Sequence, residues 1–215
     1  MKRKKITTRT NYKFELHATD IIKPDFCPLK IVFKYKNNLS FREDQYHPEE
    51  RLLTFRIGNY LEDMVLDLLE AEKPKPMILR LKDIVIAGNP DGKKGKTIIE
   101  VKTIKKDEYD KLTSPKPEHI QQVNFYLYLN KYFNIYDNAC IIYVPKQESK
   151  PTIKIYDVPI IPKLHERYNI VIGYLKHYLT TGEVKPIKCD VWKAKNCPFA
   201  SICPYKYNGG NQNGV

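Results

Sequence analysis

Residues 81–103 read LKDIVIAGNPDGKKGKTIIEVKT, and no other stretch restricts the fold as much. Two runs within it, residues 84–87 and 97–101, are apolar and β-branched, which is the composition of strands buried on at least one face. Between them, Pro90-Asp91-Gly92 and Gly95 supply a fixed φ and positions open to positive φ. The pattern predicts a β-hairpin pairing the two runs. Side chains two apart on a strand share a face, so Glu100 and Lys102 fall on one side and Ile99 and Val101 on the other, toward a core. Asp91, leaving the first strand, can stand beside Glu100 across the ladder. Two carboxylates and an ammonium converging there suit a divalent cation held by oxygens, with the lysine next to the water that such a cation activates. Asp-Gly is also the commonest hairpin turn, and Glu-Val-Lys an ordinary strand with a solvated ion-pair face, so a plain surface hairpin fits this stretch equally well.

The full 215 residues suffice for one large domain, or a domain with an appended piece, without a disulfide scaffold. Charge points toward polyanions, nucleic acid first. The 37 Lys and Arg against 25 Asp and Glu leave +12, and Lys93, Lys94, Lys96, Lys102, Lys105, Lys106 and Lys111 crowd the predicted hairpin. A basic but inert surface is the plainer reading of the same composition. No apolar run approaches the roughly 18 residues of a membrane helix, and the N-terminus lacks a signal peptide's apolar core. A soluble, cytoplasmic protein without a membrane partner is expected.

Along the chain, residues 1–15 form a basic arm, and Thr19 is a possible cap for a short element over residues 20–35. Residues 48–72 repeat apolar side chains at helical spacing (Leu52, Leu53, Ile57, Leu61, Met64, Val65, Leu68, Leu69) up to the break at Lys73-Pro74-Lys75-Pro76. A polar loop over 107–117, a helix over 118–132, a buried strand over 139–144, an alternating strand over 152–158 and an amphipathic helix over 162–179 follow. An α/β core thus spans residues 16–182, a cysteine-bearing, loop-rich segment 183–207, and a tail expected to be disordered 208–215.

A helix bearing Glu62, Asp91 after a strand, Glu100-Val101-Lys102 on the next strand and then another helix form a plan that resembles the PD-(D/E)XK nucleases. In His119-Ile120-Gln121-Gln122-Val123-Asn124-Phe125-Tyr126, Gln122 and Tyr126 resemble the Gln-x-x-x-Tyr signature of the RecB-like branch. Gly58-Asn59-Tyr60-Leu61-Glu62 resembles that branch's first motif, with Glu where some members carry His. His119, Gln122 and Tyr126 also share one helical stripe, with Ile120, Val123 and Leu127 on another that can face a sheet. For any one of the three polar residues, a solvated helix face is the plainer alternative. The resemblance implies a restriction-endonuclease-like mixed central sheet flanked by helices, and metal-dependent phosphodiester hydrolysis. Asp91, Glu100 and the Val101 carbonyl would hold Mg²⁺ or Mn²⁺, Glu62 would complete the site, and Lys102 would position or deprotonate the attacking water. Gln122 and Tyr126 would join the catalytic set, and His119 would hydrogen-bond a phosphate. Lys93, Lys94, Lys105 and Lys106 are expected to hold further phosphates, with Tyr12, Phe14, Phe33 and Tyr35 available to stack on single-stranded bases.

Of five cysteines, Cys140 reads as a small buried apolar residue, whereas Cys27 lies near the start and Cys189, Cys197 and Cys203 near the end. In an intracellular chain these four would bind a metal or nothing, and zinc favours closer pairs than these. One cysteine ahead of the core and three after it resembles the iron-sulfur RecB-like nucleases, among them the CRISPR-associated exonucleases of the fourth Cas family. Cys197 and Cys203 keep that family's final spacing, while Cys189 stands further from Cys197 than the family places it. The resemblance implies a [4Fe-4S] cluster on Cys27, Cys189, Cys197 and Cys203, with residues 183–207 packing against Cys27. It also implies exonuclease activity, with some endonuclease activity, on single-stranded DNA or DNA ends. Partners would be proteins of CRISPR adaptation or of replication and recombination. A non-catalytic DNA-binding adaptor, a viral inhibitor on the same fold and a structure-specific resolvase are the alternatives.

Overall fold

The computed structural model describes residues 14–21, 27–36, 48–146, 152–187, 189, 194–195 and 197–205; most of the expected arm, and the whole tail from residue 208, lie outside these. Strand β1 (Phe14–His17) buries Phe14 and Leu16, so the arm expected to reach residue 15 ends before Phe14. Helix α1 (Ala18–Ile21) begins ahead of Thr19, which therefore does not cap it. The backbone N–H of His17 instead donates to Asp20 Oδ2 at 2.9 Å, the return half of a capping box. Helices α2 (Pro28–Lys36) and α3 (Pro48–Leu68) follow. The latter stops short of residue 72 because Glu70 takes a positive φ of 52° and turns the chain, and Glu72 then exchanges backbone hydrogen bonds with Lys93.

The expected hairpin between residues 84–87 and 97–101 does not form. Strand β2 (Met77–Leu81) turns through Lys82, φ 47°, and Asp83 into β3 (Ile84–Gly88), and β1 joins the other edge of β3 in parallel. Past Asn89-Pro90-Asp91 the chain enters β4 (Gly92–Lys94), which turns at Gly95, φ 56°, and pairs antiparallel with β5 (Thr97–Ile104). Pro90 has no N–H to give a ladder, and the extended run divides there between two sheets. Sequence reasoning missed β2 because Lys82-Asp83 carries no glycine or asparagine to mark a tight turn.

Residues 107–117, expected as a loop, contain helix α4 (Lys106–Lys111). Acidic residues in its first turn, an i,i+4 pair between Lys106 and Asp110, and a buried Tyr109 account for it. Helix α5 (Pro117–Phe133) then completes a crossover to β6 (Asn138–Pro145), parallel to β5, and β7 (Lys154–Asp157) pairs antiparallel with β6. Helix α6 (Pro162–Thr181) stops at Gly182, φ 73°. The result is a mixed α/β protein whose two mixed sheets, β1-β3-β2 and β4-β5-β6-β7, are flanked by helices. Among the described residues no helix is long and apolar enough to cross a membrane.

Strand β5 is covered on both faces. Ile99 and Val101 pack with Val65 and Leu66 of α3 and with Cys140, Ile142 and Val144 of β6. Ile98 and Ile104 enter the larger core with Val123, Leu127 and other residues of α5. Glu100 shares this second face and is 1% exposed. Each apolar neighbour contributes about 1.5–3 kcal/mol on burial, and together they hold a desolvated carboxylate in place. On α3 the burial falls on Val65 and Leu66, while Leu53, Ile57 and Leu68, which the helical spacing had placed on the packed face, stay exposed.

Candidate active site

Two glycines let helices close on Asp91 from either side. A Cβ at Gly88 would lie 2.8 Å from Leu129 Cδ1 and 3.0 Å from Tyr126 Cδ1, both on α5, and one at Gly92 would lie 2.3 Å from Leu66 Cδ2 on α3. The register that pairs Gly92 with Ile99 brings Asp91 opposite Glu100. Asp91 Oδ2 accepts the backbone N–H of Val101 at 2.9 Å. Glu62 precedes Leu66 by one helical turn, and its charge reaches Glu100.

Glu100 is the centre of the arrangement. Its Oε1 accepts from Lys102 Nζ and, at 2.6 Å, from Gln122 Nε2, while its Oε2 is buried without a hydrogen-bond partner. Burial first, then the Asp91 charge and to a lesser degree Glu62, push its carboxyl up to about 8 against the pull of Lys102. The solvated ion-pair face that a plain surface hairpin would present is therefore absent. Lys102 is partly buried and its partner wholly so.

The stripe on α5 faces this carboxylate rather than water. The Gln122 amide also donates to the Tyr126 hydroxyl at 2.8 Å, and that hydroxyl reaches the Asn89 carbonyl at 3.4 Å. Burial, and next the Glu100 charge, raise the Tyr126 phenol far above its ordinary value, so it stays protonated. His119 Nδ1 lies 2.8 Å from the Tyr143 hydroxyl, which also accepts the backbone N–H of Lys116 at 2.9 Å. Burial, with Lys102 next, pushes the His119 imidazole down to about 4. Tyr143 was not anticipated: in sequence it is one more apolar position in a buried strand.

The other lysines are dispersed. Lys93 pairs with Glu72 at 2.8 Å, Lys94 Nζ donates to the Leu69 carbonyl at the end of α3 at 2.8 Å, Lys96 pairs with Asp137 at 3.1 Å, and Lys106 pairs with Asp110. Lys105 is exposed ahead of α4. Of the lysine run, Lys102 is the one whose charge acts on Glu100. Phe14 and Phe33, two of the aromatics available to stack on bases, are core residues at 2% and 4% exposure, because β1 and α2 turn them inward. Tyr12 and the Tyr35 side chain lie outside the described residues.

The cysteines gather at the other end of the chain's path. Cys27 stands just before α2, where the backbone N–H groups of Leu29 and Lys30 favour its thiolate, but burial foremost, with Cys197 and Cys189, pushes its thiol up. Cys27, Cys197 and Cys203 pack around Leu29, Phe33 and Phe199. Cys140 belongs to the α3 side of the sheet, its thiol pushed up to about 11 by burial. None of the five cysteines is joined in a disulfide. Among the described residues no three His, Cys, Asp or Glu side chains converge closely enough to enclose a metal ion.

Fold and site together define a mixed α/β protein with a buried carboxylate–lysine–glutamine centre where two sheets part. No family model matches this sequence, and no curated protein does. Among solved structures, the crystal structure of SSO0001 superposes with a TM-score of 0.50 at 19% identity over 90% of this chain and 87% of that one. A phage-related exonuclease from Haemophilus somnus 129PT gives 0.43 at 15% identity, over 77% and 94% respectively. The likeness to SSO0001 is one of fold.

Proposed function

We propose that this chain is a metal-dependent nuclease of the PD-(D/E)XK, RecB-like type that cuts single-stranded DNA or DNA ends. The observation that carries the reading is Glu100: a buried carboxylate with one oxygen unpartnered, under the charges of Asp91 and Glu62 and paired with Lys102. A carboxylate raised by the charges of two other acids, with one oxygen orphaned, offers donors suited to a hard divalent cation, around which Asp91 and Glu62 would have to draw closer. Asp91, Glu100, the Val101 carbonyl and Glu62 would hold Mg²⁺ or Mn²⁺, which when bound supplies charge neutralisation and an acidified water.

The chain's own residues do the rest. Lys102 pulls Glu100 toward its ionised form against burial and the neighbouring acids, and lends its charge to the pentavalent phosphate. Gln122 fixes the orientation of Glu100, and protonated Tyr126 anchors Gln122. The packing of Cys27, Cys197 and Cys203 around one apolar cluster, under the influence of Cys189, supports a [4Fe-4S] cluster that would draw these thiols together and tie the C-terminal cysteines to α2. Lys105 and its neighbours would add salt-sensitive phosphate contacts that read no bases.

The test is a time course on single-stranded DNA labelled at one end, with Mg²⁺ or Mn²⁺, beside EDTA and Lys102→Met controls. Metal-dependent loss of the strand, absent in the variant, is expected, and label release separates exonuclease from endonuclease action. DNA that is bound but never cut would overturn the enzymatic reading in favour of a DNA-binding adaptor.

A further inference from the structure

The His119–Tyr143–Lys116 chain of contacts fixes where the hydrogens lie. The Tyr143 side chain is fully buried, so its hydroxyl hydrogen has no water to meet. Its oxygen already accepts the Lys116 backbone N–H at 2.9 Å, and His119 Nδ1 stands 2.8 Å away. If Nδ1 carried a hydrogen, both neighbours would donate to one oxygen and the buried O–H would lack an acceptor, which is costly for a group cut off from water. If the hydroxyl donates to Nδ1, every group is satisfied. The imidazole is then neutral, with its hydrogen on Nε2.

We infer that Tyr143 is a positioning residue that locks His119 as a neutral Nε2–H donor, and that this N–H binds a non-bridging phosphate oxygen of the nucleic-acid strand. The assignment of phosphate as the ligand rests on the nuclease reading above; the tautomer does not. A nitrogen that carries a hydrogen has no lone pair for a metal or for a proton, so in this state Nε2 is neither ligand nor general base. Lys102 and Lys116, the cations that act on the ring, disfavour its protonation, and Glu118 opposes them. His119 thus contributes a directed hydrogen bond without a second positive charge beside Lys102.

Long-range proton–nitrogen correlation spectra of the full-length ¹⁵N-labelled protein at pH 7 read the tautomer directly. The chain has 5 histidines, and the His119 signals are those lost in His119→Gln. An Nε2–H, Nδ1-acceptor pattern is expected in the wild type, giving way to a mixture of tautomers in Tyr143→Phe. An Nδ1–H or imidazolium pattern in the wild type overturns the proposal. Binding of a short oligothymidylate in EDTA tests the phosphate contact: His119→Leu should weaken it about tenfold, and His119→Gln, which keeps an N–H donor, should restore most of it. Equal weakening in both variants, at unchanged Tm, overturns the donor role. A wild type with the expected tautomer and binding but no cleavage refutes the nuclease reading and leaves this one standing.

Discussion

Gln122 Nε2 lies 2.6 Å from Glu100 Oε1, joining the crossover helix α5 to the central strand β5 across 22 positions of sequence. The same amide nitrogen holds the Tyr126 hydroxyl at 2.8 Å, so one side chain sets both the carboxylate's rotation and the phenol's place. Gln122→Ala removes both bonds and leaves a buried acceptor unmet, which should lower cleavage about ten- to a hundredfold and stability by about 1–3 kcal/mol. Gln122→Glu would add a like charge to Glu100 and should lose at least as much activity. Cleavage rates and urea midpoints of the two variants check this, and a wild-type rate in Gln122→Ala would remove the residue from the site.

Divalent-ion affinity should depend on pH through Glu100. Its folded-state carboxyl is raised to about 8, so between the ordinary carboxylate value and 8 the unfolded chain releases a proton that the folded chain keeps. Stability of the metal-free protein therefore falls as pH rises through that window. A cation must displace the same proton, so Mn²⁺ should bind about tenfold more tightly per pH unit from 6 to 8, with proton release measurable by calorimetry in buffers of different ionisation heat. Affinity flat across this range would place the metal elsewhere.

His165 gives the opposite dependence, away from the site. It is 2% exposed among Tyr128 and Tyr168, neither ring nitrogen has a hydrogen-bond partner, and burial, with Lys131 next, lowers its pKa; the Asn124 backbone offsets this only in part. Above about pH 6.5 folded and unfolded chains are both neutral at this ring and nothing is lost. As pH falls below that value the unfolded chain takes up a proton first, and stability should drop by about 1.4 kcal/mol per pH unit until the folded pKa is reached. His165→Phe should flatten that slope in denaturant titrations between pH 7 and 5. An unchanged slope would assign acid sensitivity to other groups.

Gly88→Ala tests the closure of α5 over the Asp91 segment. The new methyl would meet Leu129 and the Tyr126 ring, whose hydroxyl is held by Gln122, so a loss of about 1–3 kcal/mol is expected from overpacking. Because the displaced ring is part of the site, activity should fall at temperatures where the variant remains folded. The control is Gly173→Ala on α6, where an added Cβ meets no atom within 4 Å; it should cost neither activity nor stability.

For the cysteines, protein purified without oxygen should be brown, and Cys27→Ser should lose most of its iron and the packing of residues 197–205 against α2. Iron content and proteolytic susceptibility of that segment measure both. Cys140→Ser, in a separate cluster, should keep its iron. A colourless wild type with four titratable thiols around Cys27 would remove the cluster.

The sequence alone was enough to delimit α5, β6 and α6, because long apolar periods, a proline at each helix start and Gly182 after α6 are local signals. It also placed Glu100 with Lys102 on one strand face and Gln122 with Tyr126 on one helical stripe, since spacing on a strand and a helix fixes which side chains share a face. Strand partners were not local. The 84–87 run pairs with β2 and β1, because Pro90 ends its ladder and a glycine-free turn at Lys82-Asp83 supplies another neighbour. Tertiary packing likewise decided the chemistry. Whether Glu-Val-Lys is a solvated pair or a buried centre depends on α5 covering the face of Glu100, and whether His119 is a base or a donor depends on a tyrosine 24 residues away. Desolvation and hydrogen-bond saturation are properties of what surrounds an atom, and only the folded chain brings those surroundings together.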